Sequence, residues 1–272
     1  MKKILIIGGN GLIGKKLISN IKKKYKLITP KRSKKFNIAK YHTLNKYINS
    51  KIDVIINLSG QVDNKKKMHE TIITGNKNII KLSKKINKKI LIIYLSTNLI
   101  YGYSNKILNE RSKTFPKGLY AKYKLRAEKY YENSNLNYLI LRIGNVYGDI
   151  KNEKNIISKI YNSITREKKL LITNSYVSRN FISLEDTIKI IKKILIKKLK
   201  NNKYNVGNEN LNLKNIIKYF EKIYKKKVKF IDQSIKLDTL SSQKVNSSKI
   251  LFELNLTLKN NMYKYLKKYK KK

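Results

Sequence analysis

Short, unbroken apolar runs alternate through the first half of the chain with longer stretches whose apolar residues recur every three to four positions. The runs fall at 3–7, 26–29, 53–58, 90–96 and 138–143 and are rich in isoleucine and leucine. Continuous rather than alternating apolar character marks strands covered on both faces, as in a parallel sheet. The helical-period stretches fall at 12–24, 44–49, 68–86 and 120–133, interleaved with lysine. Strand alternating with helix predicts an α/β protein with a doubly wound parallel sheet.

After residue 148 the rhythm breaks. Helical stretches at 155–166, 184–199 and 213–224 are separated by short apolar pieces, "YNVG" at 204–207 and "VKFI" at 228–231. The pattern predicts one sheet domain over 1–148. A small C-terminal α/β lobe is expected over 149–272, with segments that return to the sheet. The tail "YKYLKKYKKK" reads as a frayed helix end or as disorder.

Directly behind the first run stands "IIGGNGLIGKK" (6–16), which holds four of the chain's 11 glycines. Gly8 ends a strand and Gly14 falls in the first helical turn. Glycine at such places permits positive φ, lets backbone N–H groups reach a pyrophosphate, and allows helix and strand to touch. The helix start then offers its free N–H groups to phosphate. The spacing fits Gly8, Gly11 and Gly14, and equally Gly9, Gly11 and Gly14. It predicts a Rossmann-type dinucleotide turn in which Gly8, Gly11, Leu12, Ile13 and Gly14 contact the cofactor. The second run, "KLITPKRS" (26–33), lacks the acid that would hold the ribose 2′-hydroxyl of NAD. Lys31 and Arg32 stand there instead and suit a 2′-phosphate. The cofactor is therefore expected to be NAD or NADP, with a lean to NADP.

Two further stretches carry chemistry. "YLSTNLIYG" (94–102) spans the end of the fourth run, and "LYAKYKLRAEKYY" (119–131) opens a helix with Tyr120 and Lys124 one turn apart. Residues four apart on a helix share a face. An ammonium beside a phenol is expected to lower a pKa that is ordinarily about 10. Thr97 or Ser96, at a strand's carboxyl end, could hydrogen-bond the oxygen whose proton Tyr120 takes or gives. The set assembles hydride transfer at a carbinol or ketone carbon, with a nicotinamide carrying the redox step.

Composition narrows the setting. The 272 residues include no cysteine, so disulfides and cysteine-ligated metals are excluded, and no metal site is expected. No apolar run approaches the ~20 residues of a membrane span, and the run in "MKKILIIGG" stops too early for a leader peptide. A soluble, cytoplasmic protein with no membrane partner is expected. The net charge is +48, yet only 6 of the 64 basic residues are arginine and the lysines are spread throughout. Specific nucleic-acid readers favour clustered charge and arginine forks. With asparagine, isoleucine and tyrosine also abundant, the charge reads as compositional drift, and no specific nucleic acid is expected.

In order along the chain, these pieces resemble the extended short-chain dehydrogenases/reductases, in the NAD(P)-dependent epimerase/dehydratase family that modifies nucleotide sugars. The glycine turn is followed by "VIINLSG" (54–60), "STNLIYG" (96–102), "NERSKTFPKGLYAKYKLRAE" (109–128), "LRIGNVYG" (141–148), "VSRNFISLEDT" (177–187), "YNVGNEN" (204–210) and "NSSKILFELNL" (246–256). The resemblance implies that Tyr120 is the catalytic acid/base, that Lys124 is its partner and binds the nicotinamide ribose, and that Thr97 holds the substrate oxygen. It implies cofactor contacts from Leu58, Ser59 and Gly60, and substrate contacts from Asn145 and Arg179. It also implies a homodimer through the helices at 68–86 and 120–133.

The departures are informative. Dehydratases of the family carry an Asp-Glu pair after the threonine, where this chain has Asn98 and Leu99, so dehydration is not expected. Ile72 stands three before Gly75, where the family has asparagine, and no arginine follows Arg179. The resulting expectation is an NAD(P)-dependent 4-epimerase or 4-keto reductase of a nucleotide-linked sugar. Its competitors are a non-catalytic dinucleotide-fold protein that binds RNA or another polyanion, and a reductase of a non-sugar ketone.

Overall fold

A computed structural model describes residues 1–33, 35–60, 64–86, 89–148, 155–167, 169–172, 175–232 and 242–270. Through the first half the elements run β1 (Lys3–Ile7), α1 (Leu12–Ile21), β2 (Lys26–Ile28), α2 (Tyr41–Asn45), β3 (Val54–Asn57), α3 (Lys65–His69), α4 (Gly75–Ile86), β4 (Leu91–Thr97), α5 (Leu119–Glu132) and β5 (Asn137–Ile143). A π-helical turn, Glu70–Thr74, joins α3 to α4. The second half adds β6 (Asn145–Tyr147), α6 (Ile156–Arg166), β7 (Leu170–Ile172), β8 (Arg179–Ser183), α7 (Leu184–Ile196), β9 (Asn202–Val206), β10 (Glu209–Leu211), α8 (Leu213–Tyr224), β11 (Phe230–Asp232), α9 (Ser248–Leu254) and α10 (Met262–Lys270).

The chain forms two compact units and passes between them repeatedly. The first comprises Met1–Ile100, Thr114–Ile143 and Ile188–Tyr204; the second comprises Tyr101–Lys113, Gly144–Thr187 and Asn205–Lys272.

A six-stranded sheet in the order β2-β1-β3-β4-β5-β9 organises the first unit. Every pairing from β2 to β5 is parallel. Such strands are buried on both faces, which is why β1 reads as the unbroken run KILII. Leu5, Ile55, Ile92 and Ile140 pack one face of the sheet against Leu44, Ile79, Leu82 and Ala127 from the helices. The chain leaves β1 to form β2 on one side and then β3 on the other. Strand order therefore reverses at β1, and in such sheets ligands bind outside the carboxyl ends of the strands at the reversal. Ile7 and Asn57 are in register, so β1 and β3 end side by side.

A buried polar chain fixes the end of β3. The Asn57 amide donates to Asn76 Oδ1 at 2.8 Å, and the Tyr131 hydroxyl donates to the same oxygen. The Ser59 N–H in turn donates to Asn57 Oδ1 at 3.0 Å. Buried polar groups are tolerable only when bonded in this way. Here the bonds tie Ser59 to the end of β3.

In the second unit, β10-β8-β6 form one small sheet and β11 pairs with β7. Ile160, Ile164, Ile216, Phe220 and Leu266 fill its core. The Asn180 side chain enters the space left by Gly144 and Gly207: a Cβ on Gly207 would lie 1.5 Å from Asn180 Oδ1. The glycines of "LRIGNVYG" and "YNVGNEN" are thus space-making.

The tail departs from expectation. It is helical as α10 through Lys270, because Met262, Tyr265 and Leu266 form an apolar stripe that docks into the second core. Residues 271–272 lie outside the described residues. No helix among the described residues is long and apolar enough to cross a membrane.

Candidate active site

The glycine turn is built as its spacing requires. Gly8 has φ +84°, a value that side chains rarely adopt, and a Cβ there would sit 3.0 Å from the backbone at Leu58 and Ser59. At Gly14 a Cβ would lie 2.5 Å from Gly8 O and 2.7 Å from the Gly9 Cα. The start of α1 is thereby pressed onto the end of β1. Unlike α3, α6 and α8, which have asparagine caps, α1 begins at Gly11 with no side-chain cap and no acid in its first turn. Its leading N–H groups are thus free to meet an anion.

A cavity of about 240 Å³ opens over this turn. Gly8, Gly9 and Gly11 line it from the end of β1, and Leu58, Ser59 and Gly60 from the adjacent end of β3. Arg32 reaches the cavity, whereas Lys31 is exposed outside it, and the half-buried first-turn residues Leu12 and Ile13 are not part of its lining. Ile7 and Asn10 flank the glycines in the lining, and sequence reasoning missed the rest of it: Pro30, Phe36, Asn37, Ile38 and Thr71. The last sits in the π-helical turn, a deformation often found at functional sites. A glycine cradle, an uncapped helix start and a single guanidinium together fit a dinucleotide.

Tyr120 and Lys124 occupy successive turns of α5. Both reach Gly60, where a Cβ would lie 3.6 Å from the Tyr120 hydroxyl and 3.9 Å from Lys124 Nζ. Gly60 thus lines the cavity and lies within reach of both side chains, which themselves stand outside the cavity lining. Lys124 is 2 % exposed. Its ammonium donates to Leu95 O at 2.7 Å and to Ser59 O at 3.2 Å.

The expected acidification of the phenol is not found. Burial raises Tyr120 to about 12. The ammonium lies 5.7 Å from the centre of the Tyr120 ring and is turned toward the two carbonyls. Desolvation therefore outweighs the neighbouring charge. The same cause lowers Lys124 to about 7, against a smaller upward pull from Glu128.

At the end of β4, alternation separates the two hydroxyl candidates. The Ser96 hydroxyl donates to Glu128, which also forms a buried ion pair with Arg142 at 2.8 Å. Ser96 is thus committed to an internal cluster. Thr97, on the other face of the strand, accepts a hydrogen bond from the Leu99 N–H at 3.2 Å. No sequence pattern marks the Glu128–Arg142 pair, although Glu128 lies one turn beyond Lys124.

In the second unit, Asn145 on β6 donates to Asn180 O at 3.1 Å and so ties β6 to β8. Arg179 opens β8, is half-buried, and forms no ion pair among the described residues.

Strand order, glycine turn and crevice define a Rossmann-type fold. The chain belongs to the NAD dependent epimerase/dehydratase family, whose model matches residues 4–207. It is 28 % identical over 256 residues to a dTDP-D-glucose 4,6-dehydratase of Dictyostelium discoideum, covering 77 % of this chain and 59 % of that protein. The chain thus spans under two thirds of that relative's length.

Among solved structures, the fold matches dTDP-glucose 4,6-dehydratase from Bacillus anthracis in complex with NAD. The TM-score is 0.86 at 20 % identity, over 100 % of this chain and 96 % of that one. It also matches RMD from Pseudomonas aeruginosa complexed with NADPH. There the TM-score is 0.84 at 18 % identity, over 98 % and 97 % of the two chains. At such identities these likenesses establish the fold.

Proposed function

We propose that the chain is an NAD(P)-dependent enzyme that moves hydride to or from a carbinol or ketone carbon of a nucleotide-linked sugar, as a 4-epimerase or a 4-keto reductase. The observation that carries this reading is the meeting of the Tyr120 hydroxyl and the Lys124 ammonium at Gly60, a wall of the glycine-turn cavity. A bound nicotinamide would supply the hydride acceptor or donor. In this reading Gly8, Gly11 and the free N–H groups of α1 hold the pyrophosphate. Lys124 holds the nicotinamide ribose, Thr97 orients the sugar oxygen, and Tyr120 exchanges a proton with that oxygen. Asn145 and Arg179 are assigned to the substrate diphosphate, which a guanidinium fork suits well.

Dehydration is the named activity of the curated relative, but it requires more. A proton must leave one carbon while a hydroxyl leaves its neighbour, and this calls for a second acid/base pair. Asn98 and Leu99, which follow Thr97, offer neither acid nor base.

Incubation with a nucleotide-linked 4-keto-sugar and NADPH, and separately with a nucleotide-linked hexose and NAD, tests the reading. Stoichiometric NADPH consumption identifies a reductase. Interconversion of 4-epimers with retained NAD identifies an epimerase, and loss of water from the sugar contradicts both.

Arg32 underlies the lean to NADP. Arg32→Ala is expected to weaken NADPH binding about tenfold or more, as loss of a charge-assisted hydrogen bond implies, while NAD binding is nearly unchanged. Equal losses for both cofactors, measured by calorimetry, would remove Arg32 from 2′-phosphate recognition.

A homodimer through α4 and α5 also belongs to the proposal. Equilibrium sedimentation at micromolar concentration is expected to give twice the chain mass of 32.0 kDa. A monomer under those conditions would refute it.

A further inference from the structure

Lys124 poses a physical problem. It carries three N–H donors into a site where it is 2 % exposed. Among the described residues it has two hydrogen-bond acceptors, Leu95 O and Ser59 O. The carboxylate nearest in sequence, Glu128, is already neutralised by Arg142 and bonded by Ser96. A buried ammonium with so little compensation tends to lose its proton.

The remaining partner is the face of an aromatic ring. Tyr94, on β4, is 0 % exposed, and Lys124 Nζ lies 4.7 Å from its ring centre, closer than the 5.7 Å to the Tyr120 ring. The ring is itself held in place. It packs at 5.0 Å against Tyr131, whose hydroxyl bonds Asn76 in the buried polar chain that ends at Ser59. The Tyr94 hydroxyl, although buried, has no hydrogen-bond partner among the described residues. An orphaned buried hydroxyl is a cost rather than a gain, so the use of this residue lies in its ring.

We infer that Tyr94 is a positioning residue whose ring face holds the Lys124 ammonium charged and aimed at the Gly60 wall. A cation over a desolvated ring is among the stronger forms of this contact. Burial, opposed by a smaller upward pull from Glu128, brings the lysine down to about 7, and a ring face at 4.7 Å favours the charged form. The titratable and charged groups around it are Tyr94 from β4, Tyr120 and Glu128 from α5, Tyr131 behind Tyr94, and Arg142 from β5 beyond Glu128. The importance of Tyr94 to turnover rests on the function proposed above, but its hold on the lysine does not.

The test therefore reads the lysine directly. In the full chain with 15N-labelled lysine, the Lys124 ammonium signal is identified by its absence from Lys124→Met and followed against pH. Tyr94→Leu is expected to lower its titration midpoint by about one pH unit and to abolish its upfield ring-current shift. Tyr94→Phe should titrate as the native chain does and melt no lower, since only the orphaned hydroxyl is lost.

A fluorinated phenylalanine at position 94 keeps the volume while weakening the ring face. It should fall between the two, and it decides the matter if the leucine variant does not fold. A midpoint unmoved by leucine or by the fluorinated ring would overturn the inference. So would Tyr94→Phe shifting as far as leucine.

Discussion

Replacing Tyr120 with phenylalanine is expected to lower kcat for hydride transfer by about 10²–10⁴-fold, the usual worth of a positioned proton donor or acceptor. Cofactor affinity should stay near native, because the ring still packs beside Gly60 and Lys124 still holds Ser59 O. This split separates proton transfer from binding. Lys124→Met should instead damage both affinity and kcat, since the ammonium faces the same wall. A Tyr120→Phe variant with native kcat would remove the phenol from the chemistry and leave the cavity as a binding site alone. The high resting pKa adds a pH signature. A phenol raised to about 12 by burial stays protonated through the neutral range and is poised to donate. Ketone reduction should therefore not decline through loss of this proton until the pH is strongly alkaline.

The second large effect is structural. Arg142→Leu strands Glu128 as an uncompensated carboxylate with 1 % of its side chain exposed. Breaking a buried pair from one side costs about 3–5 kcal/mol, which for a chain of this size lowers Tm by roughly 10 °C. Burial penalises the charged carboxylate once its partner is gone, so the variant's deficit should be larger at neutral pH than in acid. The double variant Arg142→Leu/Glu128→Leu should regain much of the loss, because replacing both charges removes the desolvation problem. Thermal melts at pH 4.5 and 7.5 measure all three. A double variant less stable than Arg142→Leu would contradict this account of the cluster.

What the sequence disclosed depended on how local the cause was. The run at 3–7 matches β1 residue for residue, and 213–224 matches α8 likewise, because an unbroken apolar run or a clean helical stripe settles each element alone. The helix expected over 68–86 begins earlier, at Lys65. Asn64 caps it, and three lysines carry no apolar signal. Its middle is a π-helical turn through Thr71, Ile72, Ile73 and Thr74, a crowded β-branched run whose register nothing in the apolar pattern reports. Strands of three residues, such as β6, β7 and β10, are too short for any period to show.

The candidate site divides in the same way. Gly8, Gly14, Tyr120 and Lys124 were legible because spacing fixes their relation. The wall at Phe36, Asn37 and Ile38 comes from a loop, and the Glu128–Arg142 pair joins a helix to a strand. Both depend on tertiary packing. The burial of the Tyr120 hydroxyl was equally hidden, and with it the reason the phenol is raised rather than lowered.

The most direct test is calorimetric titration of NAD and NADPH into the native chain and into Lys124→Met. The native chain should bind one dinucleotide per chain with micromolar or tighter affinity, and the variant at least about tenfold more weakly, as losing a charged hydrogen-bond donor implies. If neither dinucleotide binds the native chain, or if both bind the variant equally well, the cavity over the glycine turn does not deliver a nicotinamide to Tyr120 and Lys124.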